Sequence, residues 1–344
     1  MKISIPHDTS YLLGTSLISQ LHSLVKKLAL KPIVICDAAL LAQASQLGYD
    51  YLSFPSGEAS KTREIKHWLE EELLLRKLGR DTVIIAMGGG VATDLVGFLA
   101  STYMRGVPLV LVPTSLLAMV DAAIGGKTSV DTAHGKNLIG TYYSPKAIFA
   151  DMDYLESLPE REWLNGLAEI WKAGLIADAS IWRLKEWRKA LPEVIEKAAR
   201  VKIDCVTKDF QEQGLRRILN FGHTIGHALE ALANYEIAHG EAVALGTVVE
   251  SYLSHQLGYL SKAEFEEIQM RYHDASFSLK LPRDYNREKF LQALSYDKKK
   301  VGSTVRFVLI DRIGHVVPFD GQYCRGISDS ELHSLLDWME KHYG

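Results

Sequence analysis

Nearly continuous apolar runs alternate with three-to-four spacing through the first part of the chain. Lys31–Cys36 (KPIVIC), Asp81–Met87 (DTVIIAM) and Val107–Val112 (VPLVLV) are apolar at almost every position. Strands covered on both faces of a sheet have that character. Thr62–Leu78 carries the spacing of an amphipathic helix and stops at Gly79. Strand and helix in alternation predict a doubly wound α/β domain over residues 1–154. From Leu155 the texture changes. Glu160–Ala177, Ser180–Val206, Leu219–Ala233 and Gly240–Gln256 have helical spacing, and Thr304–Ile310 (TVRFVLI) alternates as a short strand. A mainly α-helical second domain over residues 155–344 is expected.

Composition narrows this picture. A chain of 344 residues exceeds what one core usually serves, and 47% apolar with 24% charged residues is ordinary globular content. A net charge of −3 gives no general attraction to nucleic acid or anionic membrane, so a site for an acidic substrate must be a local cluster of cations. Cys36, Cys205 and Cys324 are odd in number and widely spaced, which argues for a reducing compartment and against a disulfide framework. The opening MKISIPHDTS has no apolar segment of the signal-peptide kind, and no apolar run approaches ~18 residues. A cytoplasmic protein with no membrane partner is expected.

Three segments carry candidate chemistry. Gly88-Gly89-Gly90 follows a strand and precedes a helical stretch, Val91–Ala100. Such a turn lets a backbone approach a phosphate and aims helix N–H donors at it, although the spacing is not that of the common dinucleotide fingerprint. A tight turn without a ligand is the alternative. Pro113-Thr114-Ser115 closes the next strand and adds hydroxyl and amide donors on the same sheet edge. Asp121–Gly140 (DAAIGGKTSVDTAHGKNLIG) combines glycines with Lys127 and Lys136, which suits an anion or, alternatively, a solvated loop. It is not a Walker A loop.

Asn220–Glu230 (NFGHTIGHALE) sets His223 and His227 four residues apart, on one helical face, and His239 follows in HGEAV. Upstream, LAEIWKAG holds Glu169 and Lys172 one turn apart. Imidazoles plus a carboxylate, with a position left for water or substrate, have the composition of a catalytic metal site. Spacing alone leaves the carboxylate open among Glu169, Glu230, Glu236 and Glu241.

Several long motifs occur together and in order: FPSGEASK (54–61), MGGGVATDLVGF (87–98), YMRGVPLVLVPTSLLAMVDAAIGGKTSVD (103–131), GKNLIG (135–140), LPEREWLNGLAEIWKAGLI (158–176), LRRILNFGHTIGHALE (215–230) and HGEAVALG (239–246). In these the chain resembles the 3-dehydroquinate synthase family of the sugar phosphate cyclases. The resemblance implies an α/β N-terminal nucleotide-binding domain and a mainly α-helical C-terminal metal-binding domain, usually in a homodimer. It implies Glu169, His223 and His239 as ligands of zinc or another divalent metal such as cobalt, with His227 facing the substrate. It implies NAD at Asp37, Glu58, Lys61, Gly89, Gly90, Asp94, Thr114, Ser115, Asp121, Lys136 and Ser157. Substrate contacts are implied for Asp121, Lys127, Asn137, Lys172, Lys202, Arg216 and Asn220, with Arg105 reaching the neighbouring subunit's site and Lys298 or Lys299 completing the phosphate cradle. Asp121, Lys127, Lys172, Asn220 and His227 are then the candidate catalytic groups.

The implied substrate, 3-deoxy-arabino-heptulosonate 7-phosphate, carries both a phosphate and a carboxylate, which accounts for the lysines and arginines. The implied reaction oxidises it transiently with NAD+, eliminates phosphate, re-reduces and cyclises, with no net redox change. Departures from the family pattern are modest. Thr93 stands where glycine is usual, Ser115 and Ser157 replace threonines, and Trp171 and Ala173 flank Lys172 where Ile and Tyr are common. Rival readings are a cyclase for a different sugar phosphate, disfavoured by Arg216, Asn220 and His227 together, and a glycerol dehydrogenase-like oxidoreductase, disfavoured by the GGK and GKN loops.

Overall fold

The computed structural model describes residues 1–233, 237–298 and 304–344, the side chains of 295–298 excepted. The chain divides into two compact units, Met1–Trp163 and Leu164–Gly344. The expected boundary at 154/155 falls inside a 3-10 turn, Met152–Ser157, that belongs to the first unit.

The first unit is built on a seven-stranded sheet. Its elements in chain order are β1 (Lys2–Ile5), β2 (Thr9–Gly14), α1 (Ile18–Leu28), β3 (Lys31–Asp37), α2 (Leu41–Gln46), β4 (Tyr51–Phe54), α3 (Arg63–Leu75), β5 (Thr82–Gly88), α4 (Gly90–Thr102) and β6 (Leu109–Pro113). The hairpin β7 (Lys127–Thr132) and β8 (Gly135–Tyr142) follows, then β9 (Ala147–Asp151). The sheet order is β1-β2-β9-β6-β5-β3-β4, parallel except for the β1–β2 pair. Every residue of β5, β6 and β9 is buried, as their unbroken apolar runs predict. On one face Val34, Cys36, Val83, Ile85, Met87, Val110 and Val112 pack with Leu21 and Val25 of α1.

That order positions the candidate nucleotide loops. From β3 the chain moves outward to β4, whereas from β5 it moves to β6 on the opposite side. The carboxyl ends of β3 and β5 therefore form a switch point of the sheet, where α/β folds leave a crevice. Asp37 ends β3 and Gly88 ends β5.

The Asp121–Gly140 segment is more ordered than a loop. Ala118–Ala122 forms one π-helical turn, and Lys127 onward is the β7–β8 hairpin. Tight backbone approach explains Gly140, where a Cβ would collide with the Thr128 carbonyl, and likewise Gly97 of α4, where one would lie 2.6 Å from Thr128 Cγ2.

The second unit is mainly helical. Its helices are α5 (Glu160–Ile176), which starts in the last residues of the first unit, α6 (Ala179–Arg183), α7 (Leu191–Lys208), α8 (His223–Leu232), α9 (His239–Gln256), α10 (Lys262–Asp274), α11 (Arg287–Lys298) and α12 (Asp329–Tyr343). The expected helix over 180–206 is two helices, because Pro192 starts α7 afresh at its N-terminus. The expected strand over 304–310 is likewise divided. β10 (Arg306–Phe307) pairs with β13 (Arg325–Gly326), and β11 (Ile310–Arg312) with β12 (His315–Val316).

α9 is buried almost all round, including Thr247, Glu250, Ser251 and Ser254 at 0% exposure. It packs against α8 through glycines. A Cβ on Gly246 would strike the Gly222 carbonyl, and one on Gly226 would lie 3.2 Å from the Ala242 carbonyl oxygen. Among the described residues no helix is long and apolar enough to cross a membrane.

Candidate active site

In the first unit the glycine turn is shaped by steric necessity. Gly88 has φ 155°, and a Cβ there would sit 2.5 Å from that of Ala92. Gly89 caps α4 without any side-chain hydrogen bond, so the first N–H groups of the helix remain available to an anion. Ser115 lies close by, 3.3 Å from where a Gly89 Cβ would be, and Thr114 N–H donates to the Gly88 carbonyl at 3.0 Å. Asp37 Oδ1 accepts from Ala39 N at 2.9 Å and from the Ser56 hydroxyl, fixing the rim beyond β3. Thr93 does not project outward. It is 2% exposed and its hydroxyl donates to the Gly90 carbonyl at 2.9 Å.

The polar residues around this turn form one network. The Lys61 ammonium contacts Asp94 Oδ2 at 2.6 Å and Asn137 Oδ1 at 2.5 Å, and Lys136 pairs with Glu58 at 3.2 Å. Burial and Lys61 act oppositely on Asp94: enclosure raises its pKa, and the ammonium limits the rise. Asp121 lies in the π-helical turn, and Lys127 opens β7 with an exposed side chain. Arg105 is exposed on a turn where Met104, Arg105 and Gly106 all have positive φ (50°, 69° and 109°). Ser157 is exposed at the end of its 3-10 turn.

In the second unit Glu169, His223 and His239 converge, with ligating atoms within 4.8 Å of one another. Each is placed by a separate device. Asn165 lies one turn before Glu169 on α5, and its Oδ1 accepts from Gly240 N at 2.9 Å, which seats the start of α9, and so His239, beside Glu169. His223 opens α8, whose first turn is held by buried Glu250. That carboxyl accepts from Gly222 N at 2.8 Å and Ile225 N at 3.2 Å.

The donor set fits a divalent cation. Nε2 of His223 and of His239 lie 3.3 and 3.4 Å from Glu169 Oε1, while their Nδ1 atoms face the Phe221 carbonyl at 3.1 Å and Glu230 Oε2 at 3.4 Å. A bound cation would displace the ring proton that the carboxylates favour on His239; with protons at Nδ1, both Nε2 lone pairs would then point inward, the arrangement in which outer partners orient histidine ligands. Both Glu169 oxygens are buried without a well-formed hydrogen bond. Burial opposes ionisation of Glu169, but Lys172, in direct contact, and His223 hold its carboxyl well below the ordinary range. Enclosure acts against a charge on His239, yet Glu169 and Glu230 raise it to about 10. A cation at the cluster satisfies the same two carboxylates.

His227 sits 5.1 Å from His223, ring to ring, and keeps an exposed face. Enclosure first and His223 second lower its pKa, so it is neutral at pH 7. Arg216 and Asn220 share the 3-10 turn Leu215–Asn220 just before α8. Arg216 is 1% exposed and donates to the Phe210 carbonyl at 2.5 Å, and Asn220 Nδ2 donates to Glu212 at 2.6 Å. Lys202 lies on α7 and is half-buried. Lys298 ends α11 with its side chain outside the described set, and Lys299 and Glu236 lie outside the described residues.

Trp171 packs in an aromatic cluster: Trp182 and Tyr272 meet its ring edge-on at 5.7 and 5.1 Å, and the Arg271 guanidinium lies over it at 4.7 Å. Sequence reasoning passed over three groups: Glu250, Ser129, and Asp209, whose carboxylate accepts from Gln213 N, Gly214 N and Arg216 N at 2.9, 2.7 and 3.0 Å and so holds the turn that carries Arg216. Glu250 alone left a signal, as a single acid inside the otherwise uncharged run AVALGTVVESYL.

Comparison with known proteins identifies the fold class first. A crystal structure of 2-deoxy-scyllo-inosose synthase complexed with carbaglucose-6-phosphate, NAD+ and Co2+ matches with a TM-score of 0.88 at 23% identity, covering 98% of each chain. The 2-epi-5-epi-valiolone synthase of Streptomyces hygroscopicus subsp. jinggangensis, with NAD+ and Zn2+ bound, matches with a TM-score of 0.85 at 26% identity, covering 99% of this chain and 98% of that one. The architecture is that of the sugar phosphate cyclases. Within that class, the family models for the 3-dehydroquinate synthase N-terminal and C-terminal regions match residues 51–165 and 166–300. A 3-dehydroquinate synthase of Corynebacterium diphtheriae is 43% identical over 293 residues, 82% of this chain and 80% of that protein. The chain belongs to the 3-dehydroquinate synthase family, and it is an enzyme of the lyase class.

Proposed function

We propose that the protein converts 3-deoxy-arabino-heptulosonate 7-phosphate to 3-dehydroquinate and phosphate, with NAD+ at the Gly88–Gly90 turn and a divalent metal at Glu169, His223 and His239. The observation that carries this reading is the metal cluster itself: the Nε2 atoms of two histidines converge on one oxygen of a buried carboxylate at 3.3 and 3.4 Å, with all three ligating groups within 4.8 Å of one another. Glu169, His223 and His239 would hold a metal that polarises the C5 oxygen, and NAD+ would take the C5 hydride; the ketone left on the substrate acidifies the neighbouring C–H for loss of phosphate, after which the hydride would be returned.

The chain's own groups bind, orient and move protons. Lys172 beside Glu169 supplies a cation next to the developing oxyanion. His227, neutral, can take or give a proton at the substrate. Arg216 and Asn220 arrive together on one turn and serve the substrate carboxylate and hydroxyls. Lys127, Asn137 and Lys202 hold anionic oxygens, with Arg105 from a neighbouring subunit of a homodimer and Lys298 or Lys299 completing the phosphate cradle. Asp37, Glu58, Lys61, Asp94, Thr114, Ser115, Asp121, Lys136 and Ser157 surround the cofactor in this reading. The test is purified protein with NAD+, zinc and the heptulosonate phosphate: phosphate should appear without accumulating NADH. Stoichiometric NADH would replace this reading with a net oxidoreductase.

A further inference from the structure

Asn137 lies on the β7–β8 hairpin, exposed, with φ 58° in the left-handed region. Its backbone is pinned by Asp131 Oδ1, which accepts Asn137 N–H at 2.9 Å. Its side-chain oxygen is held twice, by the Lys61 ammonium at 2.5 Å and by the Ser129 hydroxyl at 2.7 Å. An ammonium can only donate, so the amide oxygen faces Lys61 and the assignment of amide ends is fixed by chemistry. The NH2 end is thereby turned away, and among the described residues it has no protein partner.

Lys61 is itself immobilised. Its side chain is 5% exposed and paired with Asp94, and its backbone carbonyl accepts Asp131 N–H at 2.7 Å. The β7–β8 ladder already closes the hairpin through backbone bonds. A buried ammonium and a buried hydroxyl converging on one exposed amide oxygen add something the ladder does not need, a fixed direction for the NH2.

We propose that Ser129 and Lys61 are positioning residues for substrate recognition: they lock the Asn137 amide so that its NH2 donates to an anionic oxygen of the sugar phosphate. This rests on the reading of the reaction given above. Lys61 thereby joins the cofactor-side Asp94 to a substrate contact, and Ser129 acquires a role through Asn137 without touching substrate.

The test is binding of the heptulosonate phosphate to NAD+-loaded protein, read by stopped-flow mixing before turnover, with NAD+ affinity measured alongside. Ser129→Ala removes one of the two orienting donors and should weaken sugar phosphate binding about 3–10-fold while leaving NAD+ affinity unchanged. Ser129→Thr restores the hydroxyl and should recover affinity to within about two-fold of wild type. Asn137→Asp keeps the shape and strengthens the pair with Lys61, but presents an oxygen where the NH2 stood. It should weaken sugar phosphate binding more than about 100-fold with no loss of thermal stability. Unchanged affinity in Ser129→Ala, or equal losses for sugar phosphate and NAD+, would overturn the proposal. If wild-type protein binds the sugar phosphate but releases no phosphate, the reaction reading fails while the affinities still decide the role of the amide; no binding at all would overturn both.

Discussion

Replacing Glu250 with alanine tests whether the metal-bearing helix is held from behind. The carboxyl is 0% exposed and receives Gly222 N at 2.8 Å and Ile225 N at 3.2 Å, the N–H groups that flank His223 at the start of α8. Both donors are buried, and Gly222 is pressed against Thr247 of α9. Each orphaned donor costs about 1–3 kcal/mol. Release of a buried carboxyl offsets part of that, leaving a net loss of roughly 2–4 kcal/mol. For a body the size of the second unit, this corresponds to a melting temperature lower by roughly 5–15 °C. Differential scanning calorimetry of the metal-free protein reads the stability, and a cobalt titration reads the ligand geometry, which should loosen as His223 loses its fixed start. A shift under about 1 °C with unaltered cobalt affinity would refute the reasoning, since the carboxyl would then hold nothing.

The same residue has a signature in pH. Burial pushes Glu250 up to about 8 from an ordinary 4.5, so the folded state binds its proton more tightly than the unfolded chain. That contribution is complete below pH 4.5 and is lost as pH rises through about 8; Glu250→Gln should flatten the stability profile across that window, as chemical denaturation at a series of pH values would show. Glu230→Gln keeps the size of the group facing His239 Nδ1 but removes its charge, and should weaken metal binding about 10–100-fold by competition with a chelator. Gly88→Ala drives a methyl into Ala92 and should abolish NAD+ binding, measured by fluorescence quenching, while the second unit keeps its metal. Lys127→Ala should raise KM for the sugar phosphate by the equivalent of ~1.5–3 kcal/mol, read from steady-state kinetics.

Much of the fold was legible in the sequence because burial on both faces leaves an unmistakable mark. DTVIIAM and VPLVLV are strands whose every residue in the sheet is covered. The hairpin after Gly126 was not legible, because β7 and β8 are polar, glycine-rich and spaced by close contact with α4 instead of by an apolar pattern. The split of TVRFVLI has a similar cause: Val305, Phe307, Val308, Leu309 and Ile310 are all buried, so period-two alternation is lost on the buried run that joins two separate short ladders.

At the site, histidine spacing pointed to metal but left the carboxylate open, and only resemblance selected Glu169. Structure gives the physical reason. Glu169 is a full turn beyond Asn165, the residue that docks α9, whereas Glu230 reaches the far nitrogen of His239 and Glu241 turns back to its own helix start, accepting from Ala238 N at 3.1 Å. Such distinctions arise from helices far apart in sequence, and no local period encodes them. Ser129 and Glu250 were missed on the same ground: each acts through a partner, Asn137 or the start of α8, that only folding brings near.

The central claim is that the cofactor takes a hydride and gives it back within one turnover. Deuterium placed at C5 of the heptulosonate phosphate tests it most directly. The account predicts 3-dehydroquinate that keeps the deuterium on the corresponding carbon, with free NAD+ and solvent unlabelled. Loss of the label to solvent, or its accumulation as deuterated NADH with unclosed product, would contradict it.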